Sequence, residues 1–234
     1  MQAIILAGGK GRRLHPYTTV LPKPMMPIGD YPIIEVILRQ LAHFSFTEVI
    51  ISTGYLESII RAYLQSCEFE SLKITFSHET TPLSTMGPLH LIDNLQDTFL
   101  VINGDILTDL NFSYLLQEHL DKKVIATVAT YQRDSYIDFG VLYTNKNGFI
   151  NKFQEKPVYH FDVSMGIYVF QKEILNEIPK GEPYGFDQLM LSLIEKKQPI
   201  YSYPHDGFWL DIGRPDDYER AISDFEEKRE IFNI

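Results

Sequence analysis

This sequence is short of the residues that mark an oxidised, membrane-spanning or nucleic-acid-binding protein. It has one cysteine, Cys67, which excludes an intrachain disulfide and a zinc site built on cysteines. No apolar run is long enough to span a bilayer. The N-terminus has no basic stretch and breaks at Gly8-Gly9, so no signal peptide is expected and a cytoplasmic location is the simple reading. There is no internal repeat or low-complexity tract. Acidic residues outnumber basic ones, 31 against 21, and the net charge of -10 argues against general nucleic-acid binding. One further absence cuts the other way. No Asp or Glu precedes Asp30, so the N-terminal stretch is locally cationic.

What stands there instead is a short apolar run, Ala3 to Ala7, that empties into the turn Gly8-Gly9-Lys10-Gly11-Arg12-Arg13. Pro22-Lys23-Pro24 follows. A strand, a backbone that a ligand can approach closely, and clustered cations together read as a cradle for polyphosphate. Two commoner phosphate motifs fail. Leu14 occupies the place of the third glycine in a dinucleotide fingerprint. Arg12 follows Gly11 where a P-loop needs Lys and then Ser or Thr.

Periodicity predicts alternating strands and helices in the first half. Ala3–Leu6 reads as a buried strand, and Pro32 suits the first turn of a helix whose apolar face is Ile33, Ile34, Ile37, Leu38 and Leu41. Strands are expected over Glu48–Thr53, Lys73–Ser77, Thr98–Ile102 and Val124–Tyr131, and helices over Leu56–Gln65, Gly87–Leu95 and Phe112–Asp121, with Asp109 as a cap near the last. This rhythm argues for an α/β fold, a mostly parallel sheet covered on both faces. Later, Asn145-Lys146-Asn147-Gly148 predicts a hairpin between Phe139–Thr144 and Phe149–Gln154. Val163–Phe170, Ile200–Tyr203 and Gly207–Leu210 read as strands. Lys172–Ile178, Phe186 to about Lys197, and Arg214–Lys228 read as helices. The Phe and Tyr residues read as core. His15, His78, His90, His160 and His205 show no metal-ligand spacing and read as structural or surface residues.

The stretch Gly8 to Ile28 resembles the signature of sugar-1-phosphate nucleotidyltransferases, a GxGxR turn with a Pro-Lys pair behind it. The resemblance continues in order through Glu79 to Gly87, Asn103-Gly104-Asp105, Gln154-Glu155-Lys156-Pro157, Ser164-Met165-Gly166-Ile167-Tyr168 and Trp209-Leu210-Asp211-Ile212-Gly213, and so covers essentially the whole chain. It implies a Rossmann-like nucleotidyltransferase fold, a mixed, mostly parallel sheet flanked by helices. Residues 1–234 are expected to form a single domain without a C-terminal β-helix. Residues 1–131 would hold the nucleotide and 132–234 the sugar phosphate. The implied partners are a nucleoside triphosphate and a sugar 1-phosphate, with no nucleic acid and no membrane; a homo-oligomer stays open.

The implied reaction is attack by the anionic oxygen of the sugar 1-phosphate on the α-phosphorus of the triphosphate, with pyrophosphate leaving. An ionised nucleophile needs no general base, so positioning and charge neutralisation carry the chemistry. Arg13 and Lys23 are the expected catalytic cations; a guanidinium fork matches phosphate oxygens at two points. Leu6, Ala7, Gly8, Gly9, Gly11, Glu79, Thr85 and Gly87 are expected at the nucleotide. Gly140, Glu155, Lys156, Ser164 and Gly166 are expected at the sugar phosphate. Asp105, which follows the apolar run Phe99–Ile102 at a strand end, and Asp211 would together hold Mg²⁺.

Pro82-Leu83-Ser84-Thr85-Met86-Gly87-Pro88-Leu89 is similar to a stretch of guanylyltransferases, which favours GTP with a mannose- or heptose-type phosphate. UTP, dTTP or CTP with a glucose-type phosphate is the alternative. A non-catalytic nucleotide-sugar-binding regulatory subunit is the reading from another class, and the retention of Arg13, Lys23, Asp105 and Asp211 argues against it.

Overall fold

A computed structural model describes residues 1–232. The first half runs β1 (Gln2–Ala7), β2 (Pro27–Ile28), β3 (Tyr31–Pro32), α1 (Ile33–His43), β4 (Glu48–Thr53), α2 (Glu57–Gln65), β5 (Lys73–His78), β6 (Thr98–Asn103), β7 (Ile106–Thr108) and α3 (Phe112–Lys122). The second half runs β8 (Ala126–Tyr136), β9 (Val141–Thr144), β10 (Ile150–Gln154), β11 (Val158–Gln171), α4 (Phe186–Glu195), β12 (Ile200–His205), β13 (Trp209–Asp211) and α5 (Pro215–Glu227). Seven strands form one sheet in the order β12-β8-β11-β6-β1-β4-β5. Only β11 runs antiparallel to its neighbours, β6 and β8. The sheet is therefore mixed and mostly parallel, and strands from both halves of the chain share it.

Strand alternation shows that both faces are covered. Ala3 and Ile5 of β1 belong to one buried cluster, with Ile33, Ile37 and Leu41 of α1 and Phe225 of α5. Ile4, between them, belongs to a second, with Leu189 and Leu193 of α4. Consecutive residues buried on opposite faces are what an apolar, non-alternating strand such as Ala3–Ala7 requires.

The structure corrects several expectations. Pro32 precedes α1 as its N-cap, with extended φ -71° and ψ 152°, rather than lying in the first turn. The helix expected over Gly87–Leu95 is a 3-10 turn, Gly87–Leu91. Ile92 turns extended, φ -103° and ψ 108°, which ends the helical run, and beyond it Gln2 pins the chain by donating from Nε2 to the Asn94 carbonyl and accepting from Gln96 N. Asp109 does not cap α3. Asn111 does, its side chain accepting from Tyr114 N at 3.0 Å. Nor are all the aromatics core. Phe99, Phe112, Phe170 and Phe225 are fully buried, but Tyr136, Phe139 and Phe149 are more than 70% exposed. These three lie where β8 and β11 run out beyond the other strands of the sheet, and on the β9–β10 hairpin, a separate two-stranded sheet.

Candidate functional site

β1 delivers the chain into a left-handed Gly11, φ 60°, which starts a 3-10 turn over Arg12–Leu14. Only glycine suits the position: a Cβ would lie 2.9 Å from Thr18 Cγ2 in a conformation that side chains disfavour. The Gly11 carbonyl accepts from Leu14 N at 2.9 Å and from Thr18 Oγ1 at 2.8 Å. Leu14 is fully buried and anchors the turn. A third glycine there would lose that anchor. Arg12 and Arg13 project outward, and among the described residues neither they nor Lys10 has a carboxylate partner within 4.0 Å.

These cations line a cavity of about 910 Å³. Its wall includes Leu6, Ala7, Gly8, Gly9, Gly11, Arg13, Lys23, Glu79, Thr85 and Asp105 from the sequence-derived set. It also includes Ser52, Gly54 and Tyr55, which sequence reasoning missed. Their signal was present: Gly54 ends an apolar strand as Gly8 does. Glu79 is half-buried, with its carboxylate against Gly8 and Gly54 and its Oε2 accepting from Leu83 N at 3.0 Å. It does not merely face solvent. Thr85 Oγ1 accepts from Phe186 N at 2.9 Å, and Met86 N and Gly87 N both donate to the Tyr184 carbonyl. The loop is thus tied to the start of α4. Gly87 lies outside the cavity wall; a Cβ there would come within 2.7 Å of the Glu182 carbonyl oxygen, so packing explains this glycine.

Lys23 opens a 3-10 turn, Lys23–Met25, whose Met25 N donates to the Pro22 carbonyl at 2.8 Å. Its side chain is only 12% exposed and pairs with Asp105 Oδ2. Asp105 follows β6. The neighbouring Gly104 N donates to the Leu6 carbonyl at 2.9 Å, which keeps Asp105 beside the glycine turn. Asp211 arrives on β13, which pairs antiparallel with β7 and sets Asp211 opposite Ile106. Ile212 N donates to the Asp105 carbonyl at 3.1 Å. Burial pushes the Asp211 carboxyl above the usual carboxylate range, the Asp105 charge adds to this, and Lys23 and Arg13 oppose it.

Asp211 Oδ1 is buried, lies 3.9 Å from Lys23 Nζ, and has no hydrogen-bond partner among the described residues. An orphaned carboxylate oxygen beside a second carboxylate fits a divalent cation. Among the described residues no third His, Cys, Asp or Glu joins them as a metal cluster. The remaining ligands would be phosphate oxygens and water, as Mg²⁺ favours.

The residues expected at the sugar phosphate divide. Gly166, φ 76°, packs against the side chain of Asn103, a cavity-wall residue. Ser164 Oγ accepts from Gly166 N at 3.3 Å and donates to the Tyr168 hydroxyl at 3.2 Å. Burial pushes the Tyr168 hydroxyl up to about 12. Gly140, Glu155 and Lys156 lie apart, around the β9–β10 hairpin, and are not in the cavity wall. Gly140 packs against the Phe153 ring and Glu155, and Lys156 pairs with Asp138 at 2.8 Å.

Strands ending in a glycine turn, with unpaired cations and Asp105 on one cavity wall and Asp211 beside Asp105, have the architecture of α/β proteins that hold ligands at the carboxyl ends of their strands. The chain belongs to the nucleotidyl transferase family, whose family model matches residues 2–228. It is 33% identical, over its whole length, to a UTP–glucose-1-phosphate uridylyltransferase of Synechocystis, of which it covers 65%. It is 32% identical, over 93% of its length, to the mannose-1-phosphate guanylyltransferase catalytic subunit beta of Dictyostelium discoideum, of which it covers 62%. The chain thus spans less than two thirds of these curated relatives.

Among solved structures, HddC from Yersinia pseudotuberculosis superposes with a TM-score of 0.74 at 24% identity, covering 96% of this chain and 99% of that one. A glucose-1-phosphate thymidylyltransferase described as putative, from Bacillus anthracis, gives 0.75 at 24% identity, covering 95% and 94%. These likenesses establish the nucleotidyltransferase fold. Among the described residues no helix is long and apolar enough to cross a membrane.

Proposed function

We propose that this chain transfers a nucleotidyl group from a nucleoside triphosphate to a sugar 1-phosphate, acting as one unit with a nucleotide part and a sugar part on a shared sheet. The observation that carries the reading is one cavity wall holding the unpaired Lys10, Arg12 and Arg13 together with the Lys23–Asp105 pair, with Asp211 alongside. Two polyanions must meet in this reaction. Free guanidinium and ammonium groups supply the charge that lets them do so.

In the reaction, a sugar-phosphate oxygen forms a bond to the α-phosphorus, the α–β bridging bond breaks, and pyrophosphate carries away the electron pair. Arg13 holds triphosphate oxygens in a two-point fork. Lys23, released from Asp105 as substrate arrives, neutralises charge near the attack point. Asp105 and Asp211 would hold Mg²⁺, which when bound would supply Lewis-acid charge neutralisation to the phosphates. The loop from Glu79 to Thr85 receives the base. Glu79 favours guanine, because a carboxylate only accepts hydrogen bonds and guanine offers two adjacent donors. A mannose- or heptose-type sugar phosphate and a cytoplasmic location belong to the same proposal.

A matrix of nucleoside triphosphates against sugar 1-phosphates, with and without Mg²⁺, tests it. Pyrophosphate release dependent on both substrates is the expected outcome. Thermal stabilisation by nucleotide without release in any cell would assign the chain to a binding role instead.

A further inference from the structure

Asp109 is the residue whose sequence-derived role failed, and its contacts point elsewhere. Its Oδ1 accepts from Phe208 N at 2.7 Å and pairs with His205 Nε2 at 2.8 Å. Its own backbone N donates to the Phe208 carbonyl at 3.2 Å, and Thr108 Oγ1 donates to the same carbonyl at 2.8 Å. Both backbone groups of Phe208 are therefore held by the Thr108-Asp109 dipeptide. Gly207 allows the close approach: a Cβ there would lie 2.7 Å from Asp109 Oδ2. His205 ends β12 opposite Tyr131, so the same carboxylate joins the edge strand of the main sheet to the small β7–β13 ribbon.

What this clamp holds is the start of β13. Phe208 immediately precedes Trp209–Asp211. The ribbon is three residues on each side, too short to fix its own register firmly. Yet the register decides whether Asp211 stands beside Asp105. Asp109 is absent from the cavity wall, and its side-chain bonds go to Phe208 and His205 rather than to Asp105 or Asp211.

We propose that Asp109 is a positioning residue: by clamping the 205–208 turn it fixes the β13 register and so holds Asp211 against Asp105 for the divalent cation. The proposal rests on the reading of that pair as metal ligands. It makes a distinction that the contacts supply. Both bonds fall on one oxygen, so an amide oxygen reproduces them and the charge is not needed.

The chain reports on this itself. Trp209 is its only tryptophan and lies two residues before Asp211. Its Nε1 donates to the Met165 carbonyl at 3.0 Å and its ring lies 5.0 Å from the Arg133 guanidinium carbon. The test titrates the whole chain with Mn²⁺, a paramagnetic stand-in for Mg²⁺, and follows quenching of Trp209 fluorescence. In Asp109→Ala the half-saturating Mn²⁺ concentration should rise about 10- to 100-fold, the range for losing a group that orients a metal ligand. The metal-free Trp209 emission should also shift. Asp109→Asn should restore both to near wild type.

Wild-type emission and Mn²⁺ response in Asp109→Ala overturns the proposal, as does Asp109→Asn behaving as badly as alanine. If Asp109→Ala does not fold, His205→Ala replaces it. A smaller shift in the same direction then supports the clamp, and an unchanged titration overturns it. Wild-type protein that shows no Mn²⁺ quenching overturns the metal reading itself, which is distinct from a clamp that fails while the metal binds.

Discussion

Two lysines in this molecule each pair with an aspartate, and the pairs could hardly differ more. The Lys23 and Asp105 side chains are 12% and 18% exposed, with Asp211 beside them. The Lys156 and Asp138 side chains are 61% and 83% exposed. In the first region, charges share a partly dry pocket, and removing one leaves others uncompensated. In the second, water screens both partners and the pair contributes little. The glycine-turn end is organised by its own internal pairs. At the hairpin end, only contact with a ligand would give Lys156 a role beyond the surface.

The largest effect should come from breaking the Lys23–Asp105–Asp211 cluster, in which Asp211 is the most exposed member at 44%. Asp105→Asn and Asp211→Asn each remove one charge at nearly constant shape. Turnover should fall roughly 100-fold or more, the scale of losing a preorganised electrostatic group. Circular dichroism and thermal melting should show the fold intact, since both carboxylates lie at the rim of the sheet rather than in either apolar cluster. Near-normal turnover in both variants would remove the metal assignment and with it the contrast between the two lysines.

Arg13 comes next. Arg13→Ala should lower turnover by roughly 100-fold while leaving the KM for the sugar phosphate nearly unchanged, because its proposed partner is the triphosphate. Arg13→Lys should recover only part of this, since an ammonium lacks the two-point fork. Arg12→Ala is the comparison: a severe Arg12 variant beside a silent Arg13 variant would show that the wrong arginine had been assigned.

How the two regions read in the sequence differs for the same reason that they differ in structure. The glycine turn was legible because glycines, cations and a missing acid coincide within a few residues. The β9–β10 hairpin was legible from Asn145-Lys146-Asn147-Gly148, which marks a turn locally. Of the β7–β13 ribbon, which sets Asp211, the strand expected at Gly207–Leu210 overlaps β13, but β7 and its pairing with β13 were not legible. Three residues carry no usable period, and the two strands are about 100 residues apart in the chain. Asp109 was misread because a cap is a local inference, while its partner Phe208 is 99 residues away. The exposed aromatics Tyr136, Phe139 and Phe149 read as core because apolar composition does not reveal whether a strand will find a partner sheet. The sugar-side residues came from resemblance. Ser164 and Gly166 lie next to the cavity wall through Asn103, whereas Gly140, Glu155 and Lys156 do not.

Base selection should show an intermediate effect. Glu79 already gives Oε2 to Leu83 N, so Glu79→Gln keeps an acceptor but loses the charge. A hydrogen bond to a charged group is worth about 1.5–3 kcal/mol. With one acceptor kept, the lower end applies, about a 10-fold narrowing of the preference for GTP over UTP or dTTP. The measurement is the ratio of kcat/KM values for the three triphosphates at fixed Mg²⁺. An unchanged ranking, or a wild-type preference for UTP or dTTP, would remove the argument for guanine and leave Glu79 as a residue that shapes the loop.

The smallest effects belong to the exposed pair, and their signs decide what Lys156 does. Lys156 sits at a left-handed φ of 41°, and alanine has the same Cβ, so Lys156→Ala leaves that strain as it was. Losing a screened surface pair should change stability by less than about 1 kcal/mol, read from the denaturant midpoint. If Lys156 meets the sugar phosphate, its loss should raise the KM for that substrate roughly 5-fold, the equivalent of about 1 kcal/mol, with the KM for the triphosphate unchanged. Asp138→Asn provides the opposing sign. It removes the anion that competes for Lys156 at 2.8 Å, so the sugar-phosphate KM should fall. A lysine that only decorates the surface would leave the KM unmoved in both variants. Opposite movements in the two, at constant stability, would place the sugar phosphate against the hairpin and show that the loosely held region is completed by its ligand.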